Sequence, residues 1–151
     1  MPGGGKADRV CEGLLALFGI EGGPFWEGTR VRAEIGETQL WTITNKATWA
    51  HPIHLHGYFF QVLDDRGDPV RPLAWKDTIN VPADKTVRFL VRLDRPGSWM
   101  YHCHILEHEE HDMMRPLIVS LSASGSSLPL LAAAPELSTG IDECRSPRSG
   151  S

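Results

Sequence analysis

Residues 102–114 read His-Cys-His-Ile-Leu-Glu-His-Glu-Glu-His-Asp-Met-Met. Within these thirteen positions lie a thiolate donor (Cys103), an imidazole (His108) and a thioether (Met113 or Met114), with two further imidazoles flanking the cysteine. One cysteine, two histidines and a weak axial methionine form the ligand set of a blue-copper site. The run lacks one histidine for that set. Residues 51–56, His-Pro-Ile-His-Leu-His, can supply it.

Strand geometry separates the donors around Cys103. In an extended segment successive side chains point to opposite faces. Cys103 then faces one cavity, while His102 and His104 together face another. The same alternation sets His54 and His56 side by side. Four imidazoles thus become available for a second metal site, joined to the first through the backbone on either side of Cys103. Such wiring suits an oxidase that collects electrons at one copper and uses them at another.

These residues carry a family resemblance. The chain resembles the C-terminal cupredoxin (plastocyanin-like) domain of multicopper oxidases, particularly bacterial laccases, spore-coat laccases and bilirubin oxidases. The similarity runs from Phe25 to Val119. It includes Gly36-Glu37-Thr38-Gln39-Leu40-Trp41, Asn45, the stretch from His51 to Gly57, Trp75-Lys76-Asp77-Thr78, Pro96-Gly97-Ser98-Trp99-Met100-Tyr101 and the Cys103 run. The resemblance implies that His51, Cys103 and His108 are type 1 copper ligands, with Met113 axial. It implies His54 as a type 2 copper ligand and His56, His102 and His104 as ligands of the type 3 pair. Glu109 stands where spore-coat-type laccases carry an acid that assists proton delivery to oxygen. Many members have glycine before the axial methionine; here it is Asp112, as in the spore-coat group.

Each assignment has a plainer competitor. His-x-His pairs occur on solvated strands, yet six of the seven histidines fall on ligand positions and only His111 is left over. Zinc also accepts cysteine and histidine, but it has no need of a methionine ten residues beyond a single cysteine. Met113 and Met114 could both be core filler; spacing selects Met113 as ligand and leaves Met114 to packing. Glu107 and Glu110 read as a solvated or hydrogen-bonding acid pair. Asp77 reads either as an orienting partner for a ligand histidine or as a turn cap.

The chain of 151 residues has room for one domain, enough for a sandwich core. Its net charge of −4 argues against nucleic acid or an anionic membrane as partner. The apolar patch at 14–20 is too short to span a bilayer. Glu12 interrupts any signal-peptide layout near the N-terminus. Cys11 and Cys144 lie in the terminal stretches; they are read as free thiols, with a disulfide between them as the alternative.

The expected architecture is all-β. Residues 1–24 read as a Gly-rich linker, 25–121 as the cupredoxin domain and 122–151 as a disordered Ser/Ala/Gly/Pro tail. Strand-like runs at 31–35, 39–44, 58–63, 77–81, 86–93, 99–102 and 116–121 alternate with turns at 65–69 and 95–97. Many short strands imply a β-sandwich, and the resemblance makes it Greek-key. Residues 104–110 read as a turn or short helix that returns His108 to the metal.

Ligand arithmetic bounds the activity. In the family the trinuclear copper cluster takes eight histidines, half from each of two domains. His54, His56, His102 and His104 supply four. The resemblance therefore implies an oxidoreductase that uses O2 and phenol-like or metal-ion donors, its cluster completed by a second cupredoxin domain or an identical chain. The alternative is a single type 1 copper module for electron transfer, without oxidase activity.

Overall fold

A computed structural model describes residues 9–16, 19–20, 30–121 and 144–145, and the linker and tail expectations fall mostly outside them. Twelve strands and one short helix are present among the described residues. One sheet has the order β12 (Cys144–Arg145), β1 (Arg9–Ala16), β4 (Thr38–Asn45), β9 (Thr86–Arg92), β6 (Phe60–Leu63), β7 (Trp75–Lys76), with β2 (Gly19–Ile20) also on β1. The other runs β3 (Val31–Glu34), β11 (Met114–Ser120), β10 (Gly97–Cys103), β5 (His51–Leu55), β8 (Thr78–Val81). Helix α1 (Leu106–Glu110) sits between β10 and β11.

Period-two patterning explains why the two sheets face each other. β4 buries Gln39, Trp41, Ile43 and Asn45 and turns the alternate residues toward solvent. β3 buries Val31 and Ala33, and β11 buries Arg115, Leu117 and Val119. Side chains from both sheets merge into one core, the arrangement of a β-sandwich. Phe60 and Phe89 stack within the first sheet at 4.1 Å. Trp41 meets Tyr101 of the second sheet edge-on at 4.9 Å, a preferred aromatic geometry. Buried Gln39 is satisfied locally: its Oε1 accepts from Trp41 Nε1 at 3.0 Å, and its Nε2 donates to Glu37 at 3.1 Å.

The strands expected from residue 31 onward are found, with β5 and β7 added. The 104–110 segment contains α1. Arg9–Ala16, which the sequence reading set in a linker, forms β1 and pairs in parallel with β4 from Arg9↔Gln39 to Leu15↔Asn45. Cys144–Arg145, read as part of the tail, pairs antiparallel with β1.

The pairing of β5 with β10 positions the metal-binding candidates. Tyr101 lies opposite Leu55, His102 opposite His54 and Cys103 opposite Ile53. On its other side β5 pairs with β8, so His51 lies opposite Val81 and His54 opposite Thr78. Both histidine motifs are therefore on adjacent central strands of the second sheet.

Candidate metal centre

Cys103 ends β10 with its side chain fully buried. His51 begins β5, also fully buried, and α1 carries His108 back toward both. Cys103 Sγ lies 3.6 Å from His51 Nδ1 and 3.5 Å from His108 Nδ1, and the two Nδ1 atoms are 3.2 Å apart. One sulfur and two ring nitrogens thus converge on one point. Met113 is fully buried beside them, and its backbone ties the group together. Its carbonyl accepts from the Cys103 N–H at 3.0 Å, and its N–H donates to the His108 carbonyl at 3.0 Å. Met114 faces the other way, half-buried, opposite His102.

Two local features hold this loop. Asp112 has φ of 63°, a left-handed conformation that glycine adopts freely and Asp tolerates better than most residues. This is the position where the resemblance notes glycine in other members. Asn45, fully buried, donates from Nδ2 to the carbonyls of Trp49 at 2.8 Å and Val81 at 3.0 Å, while its Oδ1 accepts from the Ala47 N–H at 2.8 Å. Those bonds shape residues 46–50 and so fix where His51 starts.

The charge states suit metal binding. Burial, then the neighbouring His108, holds the His51 imidazole below its ordinary pKa, keeping it neutral with a lone pair to give. Burial, aided by the Glu109 carboxylate, pushes the Cys103 thiol up. Proton loss there requires a cation to stabilise the thiolate. The donor set discriminates between metals. Structural zinc closes with four strong Cys, His or carboxylate ligands; among the described residues three such donors meet at Cys103. Two histidines, one cysteine and an adjacent methionine fit type 1 copper.

A second group lies on the other face of β5 and β10. His54, His56 and His102 bring ligand atoms within 4.8 Å of one another, and His56 Nε2 is 2.9 Å from His102 Nε2. The Nδ1 atoms of His102 and His54 have acceptors that fix their tautomers. His102 Nδ1 donates to the Cys103 carbonyl at 2.9 Å, and His54 Nδ1 to the Asp77 carbonyl at 3.1 Å, with Thr78 Oγ1 at 3.0 Å. Carbonyl oxygens only accept, so each Nδ1 holds the proton and each Nε2 presents a lone pair. Thr78 in turn donates to Asp77 Oδ1 at 2.9 Å. Asp77 thus orients His54 chiefly through its backbone. His104 is exposed, its ring 5.7 Å from His54 and 5.8 Å from His102, at the margin of the group. Burial first, then His102 and His54, lowers the pKa of His56.

Glu109 projects from α1 with Oε2 3.7 Å from His102 Nδ1. His111 is exposed at the helix end. Gly57, after the second histidine motif, has φ of 76°, and a Cβ there would come within 2.2 Å of the Trp99 ring. The sequence reading missed Trp49. Its indole, 45% exposed, stacks on His108 at 6.4 Å and 28°. Its place two residues before His51 was the available signal.

A buried Cys-His-His set and a surface imidazole group back to back on one cupredoxin-type sandwich define a copper protein. Residues 19–122 match the multicopper oxidase family, and the chain belongs to that family. It is 37% identical over 108 residues to a laccase of Bacillus subtilis, covering 58% of this chain and 21% of that one. It is 33% identical over 135 residues to a laccase of Bacillus stratosphericus, covering 75% and 26%. The solved multi-copper oxidase of Pediococcus acidilactici superposes with a TM-score of 0.69 at 32% identity, over 81% of this chain and 28% of that one. The chain therefore spans about a fifth to a quarter of the laccases it matches.

Proposed function

We propose that this chain is the electron-collecting, C-terminal-type domain of a laccase-like multicopper oxidase. Copper, when bound, would supply the one-electron redox chemistry that links oxidation of phenol-like or metal-ion donors at a type 1 site to reduction of O2 to water at a trinuclear cluster. His51, Cys103, His108 and Met113 hold the first; His54 serves the type 2 position and His56, His102 and His104 the type 3 pair. The other cluster ligands come from another domain or chain.

The observation that carries this reading is the sharing of β10. Cys103 Sγ meets His51 and His108 on one side, while His102, one peptide bond away, meets His56 on the other. The Cys103 carbonyl also accepts from His102 Nδ1, so a covalent and a hydrogen-bonded path join the two groups. The exposed indole of Trp49 over His108 offers an aromatic face at the donor edge. Glu109, with Oε2 3.7 Å from His102 Nδ1, is the carboxylate placed to relay protons at the edge of the imidazole group.

The test is copper counting with oxygen uptake on size-separated species. A single chain is expected to hold one copper tightly and to reduce little oxygen. Assembly with a partner domain or second chain should add coppers and activity together. Robust four-electron oxygen reduction by a proven single chain overturns the ligand count. One copper in every species, never with oxygen uptake, replaces this reading by the single-copper carrier.

A further inference from the structure

Two of the three cysteines lie far from the copper ligands in sequence, one near each end of the chain. The topology nonetheless brings them to one place. β1 and β12 pair antiparallel with Val10 opposite Arg145 and Cys11 opposite Cys144. Directly opposed residues of an antiparallel pair have Cα atoms about 4.5 or 5.5 Å apart, depending on the hydrogen-bonding pattern. Both spacings fall within the roughly 4.4–6.8 Å that a disulfide spans.

We propose that Cys11 and Cys144 form an intrachain disulfide that fastens the C-terminal segment to the edge of the β1–β4 sheet. β12 has only two residues, so few ladder hydrogen bonds hold it, and a covalent bond at its first position would secure the pairing. In the reaction two thiols exchange with a low-molecular-weight disulfide such as oxidised glutathione. One S–S bond forms within the chain, one breaks in the reagent, and two reagent thiols leave with the two protons. The bond closes a loop containing nearly the whole sandwich, and long closed loops restrict the unfolded chain most in the chain-entropy model. Cys103, buried on the opposite sheet, takes no part.

The full chain is equilibrated with oxidised glutathione, trapped with iodoacetamide and cleaved after glutamates. This separates Cys11 (fragment 1–12), Cys103 and Cys144 (fragment 144–151). The expected product is fragment 1–12 joined to 144–151, two hydrogens lighter than their sum and released by reduction. Mixing isotopically labelled and unlabelled chains before oxidation should give no mixed-label pair. Reduction should lower the Tm of the parent and leave that of Cys11→Ser unchanged. Separate alkylation of Cys11 and Cys144 after oxidation, or linkage only through Cys103 or between chains, overturns the proposal. So does a Tm that reduction does not move.

Discussion

The Cys103 N–H donates to the Met113 carbonyl at 3.0 Å, so the residue that supplies sulfur to the buried group is bonded through its backbone to the methionine ten positions on. The bond closes the 103–113 loop, and His108 lies within that loop, its carbonyl accepting from Met113 N–H. Three candidate ligands are thereby tied together by backbone hydrogen bonds within one loop. His51 must be brought in by β5, and Asn45 shapes its approach.

Cys103→Ser is expected to abolish the blue colour of the copper-loaded protein. The intense absorption arises from thiolate donation into Cu(II), and a serine oxygen offers no such transition. Visible absorption of parent and variant at equal copper checks this. Colour that survives the substitution sinks the type 1 assignment.

Met113→Leu should leave copper bound and raise its reduction potential, because a weak axial donor to Cu(II) is lost. Met114→Leu should leave the potential near the parent value, since Met114 lies opposite His102 on the other face of the strand. Redox titration of the blue band distinguishes them. A shift in Met114→Leu alone means that the wrong methionine has been assigned.

Changing His102 and His104 together to Ala should remove oxygen reduction from the assembled enzyme while leaving the blue band intact. Alternation along β10 puts His102 on the face away from Cys103, and His104, just past the strand's end, has its ring 5.8 Å from that of His102. Oxygen uptake and the visible spectrum, measured on one sample, test the separation. Loss of both signals together would mean that the two faces are not independent.

Asn45→Ala should destabilise the metal-free protein by about 1–3 kcal/mol, the cost of leaving a buried backbone group without its partner, with Tm falling by several degrees. Asn45 serves the Trp49 and Val81 carbonyls and the Ala47 N–H. Thermal unfolding followed by circular dichroism measures it. An unchanged Tm would show that residues 46–50 hold their shape without these bonds.

Much of the candidate centre is written locally. The division of labour around Cys103 follows from the two-residue period of a strand, which depends only on backbone geometry; His102 and Cys103 must diverge wherever the strand lies. The same period marks β4 through Gln39, Trp41, Ile43 and Asn45. The short helix that returns His108 was legible because the donor had to come back within a few residues of Cys103. Locality also explains what escaped notice. Trp49 over His108 depends on how a loop closes, not on any periodic pattern.

The tertiary structure alone decided the pairings between distant segments. His51 and Cys103 are 52 residues apart, yet their donor atoms lie 3.6 Å apart, because β5 lies beside β10 with Ile53 opposite Cys103. Arg9–Ala16 looked like a linker and is the strand beside β4; Cys11 and Cys144 occupy opposed positions near the two ends of the chain. Register between remote strands is selected by the packing of the whole sandwich, which is a property of all its side chains together. A local window carries the period of each strand but not the identity of its neighbour.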